Sequence, residues 1–405
     1  MQTPERILIA GGGPVGTVTG LALARAGIPV TVFDRLAEPA ADHRAATLQP
    51  STLDLFAPLG LTPAILREGI ESPVFQWRDR VRDEIVAEFD YRMLAGESDF
   101  PFVIQLEQHK TIQIALDAAL AEPNFTLIRP VEVQAVRQDA DGAEVDITLP
   151  DGSIETHRGR WLIGCDGGRS LVRKSIGASF EGFTWAERFN IVATNKDFEG
   201  YNFRYRNYCA HPDRWCALMK VPGENHAGVW RCLFPAHEDE SDEYVMSDQW
   251  IRERFAECLP GDAAAIEIVH RNMYTVQQRV AGQFYGGRMI LAGDAAHVNN
   301  PVGGMGMNSG FQDGLNLAAK LVQIWQGAEA EPLLARYDRQ RRLTAFKYVQ
   351  AQSIANKKTL DEKDPAMRAE KLDALRRQAA DPVAAMDFVR RASLVAMWRE
   401  SESMQ

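Results

Sequence analysis

Gly11, Gly13 and Gly16 satisfy the pattern G-x-G-x-x-G close to the start of the chain. At this spacing the first glycine permits a tight turn, the second lets backbone approach a pyrophosphate, and the third lets a helix pack on a strand. Pro14 and Val15 open the helix beside the place a phosphate would take, where the Val15 N–H can donate and Pro14, which has no N–H, cannot. Asp34, 18 residues past Gly16, can accept hydrogen bonds from a ribose diol. Arg35 beside it suits an adenine face or plain solvent equally well.

The elements around these residues supply the context that the motif needs. Residues 6–10 form an apolar run of strand length, 17–27 read as a helix closed by Ala26-Gly27, and 28–33 read as a second strand. Strand, glycine turn, helix and strand make a dinucleotide-binding unit. Two further strand-to-glycine junctions follow. Residues 160–165 lead into Asp166-Gly167, and residues 288–292 lead into Gly293-Asp294 and His297. Pro301, Gly303, Gly304, Gly306, Met307 and Asn308 then precede a helix, offering a second set of backbone N–H groups to an electron-rich ligand edge.

Together these three motifs resemble the class A, single-component FAD-dependent aromatic monooxygenases of the para-hydroxybenzoate hydroxylase type, over about residues 5–350. The resemblance implies non-covalent FAD, NADPH or NADH as electron donor, and O2 delivered to a small aromatic ring through a flavin hydroperoxide. It implies that Gly11–Gly16 and Asp34 hold the ADP half, that Asp166 serves FAD and NAD(P)H, and that Gly293 and Asp294 bind the ribityl and pyrophosphate portion. Pro301 would face the flavin ring. Met307 and Asn308 would meet its pyrimidine edge, and Gly304, Gly306, Arg44 and Gln105 would be further cofactor contacts. His297 is open between a catalytic and a structural role.

On the substrate side, Tyr208 falls in a stretch resembling the one whose tyrosine bonds the substrate phenol in this family. The serine and arginine that clamp a substrate carboxylate fall, by gapless counting, on Met219 and Val221. Neither can bind a carboxylate, so the expectation is either a different phenol or an anion clamp from Arg204, Arg206 or Arg231. Residues 180–188 are similar to the corresponding stretch of para-nitrophenol monooxygenases, which favours small phenols or aromatic acids. Loss of a ring substituent by decarboxylation or denitration, and a flavin reductase or binder that does not oxygenate, are the alternatives. The W-x-W-x-I-P signature of flavin-dependent halogenases is absent.

Composition narrows the partners. With 45 Lys+Arg against 55 Asp+Glu, the chain carries a formal charge of −10, which argues against nucleic acid or an anionic membrane. Five cysteines without C-x-x-C support neither a disulfide framework nor a zinc ribbon and point to a reduced cytoplasm. The eight histidines lack H-x-H and H-E-x-x-H spacing, so no metal is expected. A homodimer is compatible with the sequence.

The expected fold is a mixed α/β (α+β) architecture with a discontinuous Rossmann-like FAD domain at 1–75, 100–180 and 270–350. An interleaved antiparallel substrate sheet is expected at 76–99 and 181–269, and a C-terminal helical segment at 351–405.

Overall fold

The computed structural model describes residues 5–40 and 45–405. Ile7–Ala10 has no polar alternation because it lies between two other strands with both faces covered. Its sheet runs in the order Tyr285–Gly286, Met289–Leu291, Trp161–Gly164, Ile7–Ala10, Val30–Phe33, Phe125–Ile128. All neighbouring pairs are parallel except the first. Ala10, Gly164 and Leu291 lie level across three adjacent strands, so the turns at Gly11, Asp166 and Gly293 leave the same carboxyl edge side by side. That edge is where open α/β sheets bind ligands.

Two helices cover one face of this edge. Pro14–Arg25 follows the first turn with proline in its opening turn, as fits a missing N–H, and Gly306–Trp325 lies against it. The close approach depends on Gly310 and Gly314. A Cβ on Gly310 would come 2.6 Å from Val15, and one on Gly314 2.1 Å from the Thr19 hydroxyl.

A second sheet carries the order His297–Val298, Ile268–Ala281, Phe180–Thr194, Val229–Ala236, Cys216–Val221, Arg206–Ala210, Val74–Asp79, Glu84–Asp90. Ile268–Ala281 is one continuous strand pairing along Phe180–Thr194, and it runs through residue 270 without a break. The Pro150-Asp151-Gly152 turn closes a hairpin between Ala143–Thr148 and Ile154–Gly159, with Gly152 at φ 85°.

The C-terminal segment packs on the second sheet. Leu360, Leu372, Phe388, Val389 and Val395 pack with Phe75, Trp77, Phe89 and Tyr208 in one buried cluster. The Phe388 ring stacks on Phe89 at 3.7 Å between centroids. Its helices therefore roof the same sheet face that bears Tyr208. Among the described residues, no helix is long and apolar enough to cross a membrane.

Candidate active site

The first glycine turn is shaped by close contacts. Gly11 has φ 101°, and a Cβ there would lie 2.3 Å from the Cys165 carbonyl; one on Gly16 would lie 1.9 Å from the Gly11 carbonyl. Around Gly13 the opposite holds, since an added Cβ would meet nothing within 4 Å. No side chain caps the helix that starts at Pro14. The turn is thus tight where protein meets protein and open where an anion would sit against uncapped N–H groups.

Asp34 lies at the end of Val30–Phe33, accepting hydrogen bonds from the Gly12 N–H at 2.6 Å and the Leu36 N–H at 2.7 Å. Each carboxylate oxygen keeps a second acceptor site, so a ribose diol can still be served. Asp34→Ala should weaken FAD binding roughly 10- to 100-fold, the value of one or two charge-assisted hydrogen bonds. Flavin content after purification checks this. Arg35 is exposed, and Arg44 lies outside the described residues.

At the second turn Asp166 Oδ2 accepts from the Leu171 and Val172 N–H groups, at 2.7 and 3.2 Å, while its Oδ1 is buried without a hydrogen-bond partner. Gln105 is fully buried and accepts from the Thr47 hydroxyl at 2.9 Å, leaving its Nε2 unpartnered. Buried orphan atoms on both residues leave hydrogen-bonding capacity for a polar cofactor. Burial pushes the Cys165 thiol up, which suits a small filler rather than a nucleophile.

At the third turn Asp294 is exposed, whereas His297 is buried with Nε2 2.7 Å from Asp313 Oδ2. The His297 ring therefore faces the core. Asn308 is also buried. Its side chain donates to the Thr47 and Gly304 carbonyls and accepts from the Gln49 N–H and the Thr52 hydroxyl. Its side-chain hydrogen bonds stay inside the protein, so this helix start has backbone N–H groups to offer. Gly304, at φ 63°, sits against Thr47, Gly306 against Asn299, and Met307 and Pro301 are half-buried.

The inner face of the second sheet brings the substrate candidates together. Register places Arg206 opposite Met219 and Met219 opposite Arg231; the neighbouring row contains Trp77, Tyr208, Ala217 and Leu233. With strands ~4.8 Å apart, the two arginine backbones are roughly 10 Å apart, and both side chains share one face. Arg206 donates to the Tyr91 hydroxyl at 2.8 Å and the Gly303 carbonyl at 2.9 Å, and its guanidinium lies 4.4 Å from the Phe75 ring centroid. Tyr208 accepts from the Gly303 N–H and packs edge-on to Phe75 and Trp77. Burial raises the pKa of the Tyr208 phenol, with the Arg206 charge working against that. Burial opposes the Arg206 charge too, but Tyr91 and Tyr208 outweigh it.

Arg231 is 2% exposed on the same face. Arg204 is not part of this arrangement, because it is exposed and paired with Glu88 at 2.8 Å. The difference follows from strand position: Arg206 starts the strand Arg206–Ala210, while Arg204 lies in the preceding loop. Sequence reading missed Tyr91, Phe75 and Trp77. Phe75 and Trp77 come from a strand that pairs with Arg206–Ala210 only in the folded sheet, Tyr91 follows the next strand, and nothing local in the sequence marks any of them.

The profile of the FAD binding domain family matches residues 5–352 of this chain. The chain belongs to the FAD-dependent aromatic monooxygenases. It is 32% identical over 390 residues to para-nitrophenol 4-monooxygenase of Pseudomonas sp. (strain WBC-3), covering 95% of this chain and 94% of the relative. The crystal structure of p-nitrophenol 4-monooxygenase PnpA from Pseudomonas putida DLL-E4 superposes with a TM-score of 0.90 at 30% identity, covering 96% of this chain and 97% of that one. Aklavinone-11 hydroxylase, solved with FAD and aklavinone, superposes with a TM-score of 0.78 at 26% identity, covering 90% and 70%. FAD, when bound, supplies the redox and oxygen chemistry of this monooxygenase.

Proposed function

We propose that this monooxygenase uses NADPH or NADH and O2 to hydroxylate a small acidic phenol, bound as phenolate against Arg206 and Tyr208 on the inner face of the second sheet. The observation that carries this reading is the pairing of a buried guanidinium with a buried phenol beside the loop from Pro301 to Gly304. Phenols with electron-withdrawing substituents ionise near neutral pH, and an ionised ring is the more electron-rich partner for oxygen transfer. A fixed cation stabilises that form without a proton having to move. Arg231 on the same face suits a second anionic substituent. The aromatic walls from Phe75 and Trp77 exclude water from the ring.

The relation to para-nitrophenol 4-monooxygenase favours one further reading, in which oxygen enters at the carbon bearing a nitro group and nitrite leaves. Purified flavin-loaded protein should be tested with NADH and NADPH against a panel of phenols and aromatic acids that includes 4-nitrophenol. Faster nicotinamide oxidation with a product one oxygen heavier supports hydroxylation, and nitrite with a quinonoid product supports substituent loss. Consumption that no aromatic compound stimulates, yielding only hydrogen peroxide, would overturn both.

Tyr208→Phe should lower kcat/KM for the best phenol roughly 10- to 100-fold, the range for a hydrogen bond to a charged group. Flavin content should stay unchanged. Steady-state kinetics on fully flavinated protein check this, and an unaltered kcat/KM would remove Tyr208 from the substrate site.

A further inference from the structure

The core beneath the third glycine turn holds three ionisable side chains whose burial the family assignment leaves unexplained. Asp313 and Arg341 are fully buried and His297 is 1% exposed. Asp313 Oδ1 accepts from Arg341 Nε at 2.7 Å; Oδ2 accepts from His297 Nε2 at 2.7 Å and from the Gly293 N–H at 3.1 Å. Burying such a cluster is no route to stability, since apolar residues of similar volume generally serve as well. What apolar residues cannot do is fix the direction of a backbone N–H.

Asp313 grips the turn at both ends. Gly293 opens the segment at φ 62°, His297 closes it, and Asp294 is presented between them at the surface. Asp313 itself is on Gly306–Trp325, the helix whose first residues form the other glycine-rich ligand edge. Two neighbouring contacts tighten the assembly. Tyr337, on the same helix as Arg341, donates to the Leu291 carbonyl at 2.6 Å. Gly310 leaves room for Val15 and for the Gly293 Cα, 3.2 Å from where its own Cβ would be. His297 Nδ1 is buried without a partner, so among the described residues no polar group stands ready to carry a proton from the far side of the ring.

We propose that Asp313, His297 and Arg341 form a positioning unit that holds Asp294 and the start of the helix Gly306–Trp325 in one register, and so sets the affinity and environment of FAD. His297 acts through Asp313 as a hydrogen-bond donor and exchanges no proton in turnover.

The test measures FAD binding to apoprotein by quenching of flavin fluorescence, visible circular dichroism of the bound flavin, and the melting temperature of the apoprotein. His297→Leu leaves the Asp313 and Arg341 pair intact and should weaken FAD binding at least about tenfold with an altered flavin dichroism. His297→Gln keeps an N–H donor and should bind within about threefold of the unaltered protein. Asp313→Leu combined with Arg341→Met removes the buried charges together. It should melt near the unaltered apoprotein yet remain weak in FAD binding. The proposal is overturned if His297→Leu binds FAD with unchanged affinity and dichroism, or if affinity falls only in proportion to melting temperature across the set. Uptake of FAD by the unaltered apoprotein is the reference, so a failure there would count against the family assignment instead.

Discussion

Arg206→Met is expected to lower kcat/KM for an ionised phenol by about 100-fold, ~2.7 kcal/mol of transition-state stabilisation. Methionine keeps most of the length and apolar volume of the side chain, so the wall formed with Phe75 is preserved while the charge is lost. The Tyr91 hydroxyl and the Gly303 carbonyl each lose a donor, which weakens the seat of the loop after Pro301. Most of the loss should appear in KM if the guanidinium binds phenolate equally in ground and transition states, and in kcat if it mainly orders the loop. Arg204→Met is the control. That residue is exposed and paired with Glu88, and exposed pairs contribute little, so activity should be unchanged. Equal losses in the two variants would show that general surface charge, rather than the inner-face position, is what matters.

The candidate cofactor edge was readable from the sequence because each of its parts is local. A glycine turn between a strand and a helix declares itself within about 15 residues, and three such turns on parallel strands must leave the same edge of a sheet. The substrate face was only partly readable. Tyr208 and Arg206 were singled out, but whether a side chain faces inward depends on strand register, which is set by partners distant in sequence. Arg204 and Arg206 look alike in the sequence and differ entirely in the fold, because one precedes the strand and the other begins it. His297 shows the same limit. Its proximity to Gly293-Asp294 is written in the chain, but its orientation depends on Asp313 and Arg341, 16 and 44 residues further on, which only helix packing brings to it. How the C-terminal helices pack was not readable, because charged helices show mainly their solvent side in the sequence. Phe388, at one ring position among many, is what anchors it against Phe89.

Gly13→Val and Gly16→Val should separate binding from folding. Gly13 has φ −70° and ψ −171°, extended backbone open to any residue, and a Cβ there meets nothing within 4 Å. The valine variant should therefore fold and melt within a few degrees of the unaltered apoprotein. Its isopropyl group, however, would occupy the space in front of the uncapped helix start at Pro14, where backbone must approach the pyrophosphate. FAD affinity should fall by at least about 100-fold, ~2.7 kcal/mol, and the protein should purify colourless. Gly16→Val fails for a different reason. Its Cβ would be 1.9 Å from the Gly11 carbonyl and 3.3 Å from the Cys165 side chain, and neither the turn nor the buried strand behind it can retreat. That variant should give little folded protein with or without added FAD. Absorbance near 450 nm per protein, alongside melting of the apoproteins, reads both effects. A yellow, fully loaded Gly13→Val protein would mean that the pyrophosphate does not approach the chain at this turn. The contrast matters because loss of flavin alone would not distinguish a blocked site from a collapsed domain. One glycine is needed for the space it leaves to the ligand, and the other for the space it leaves to the protein.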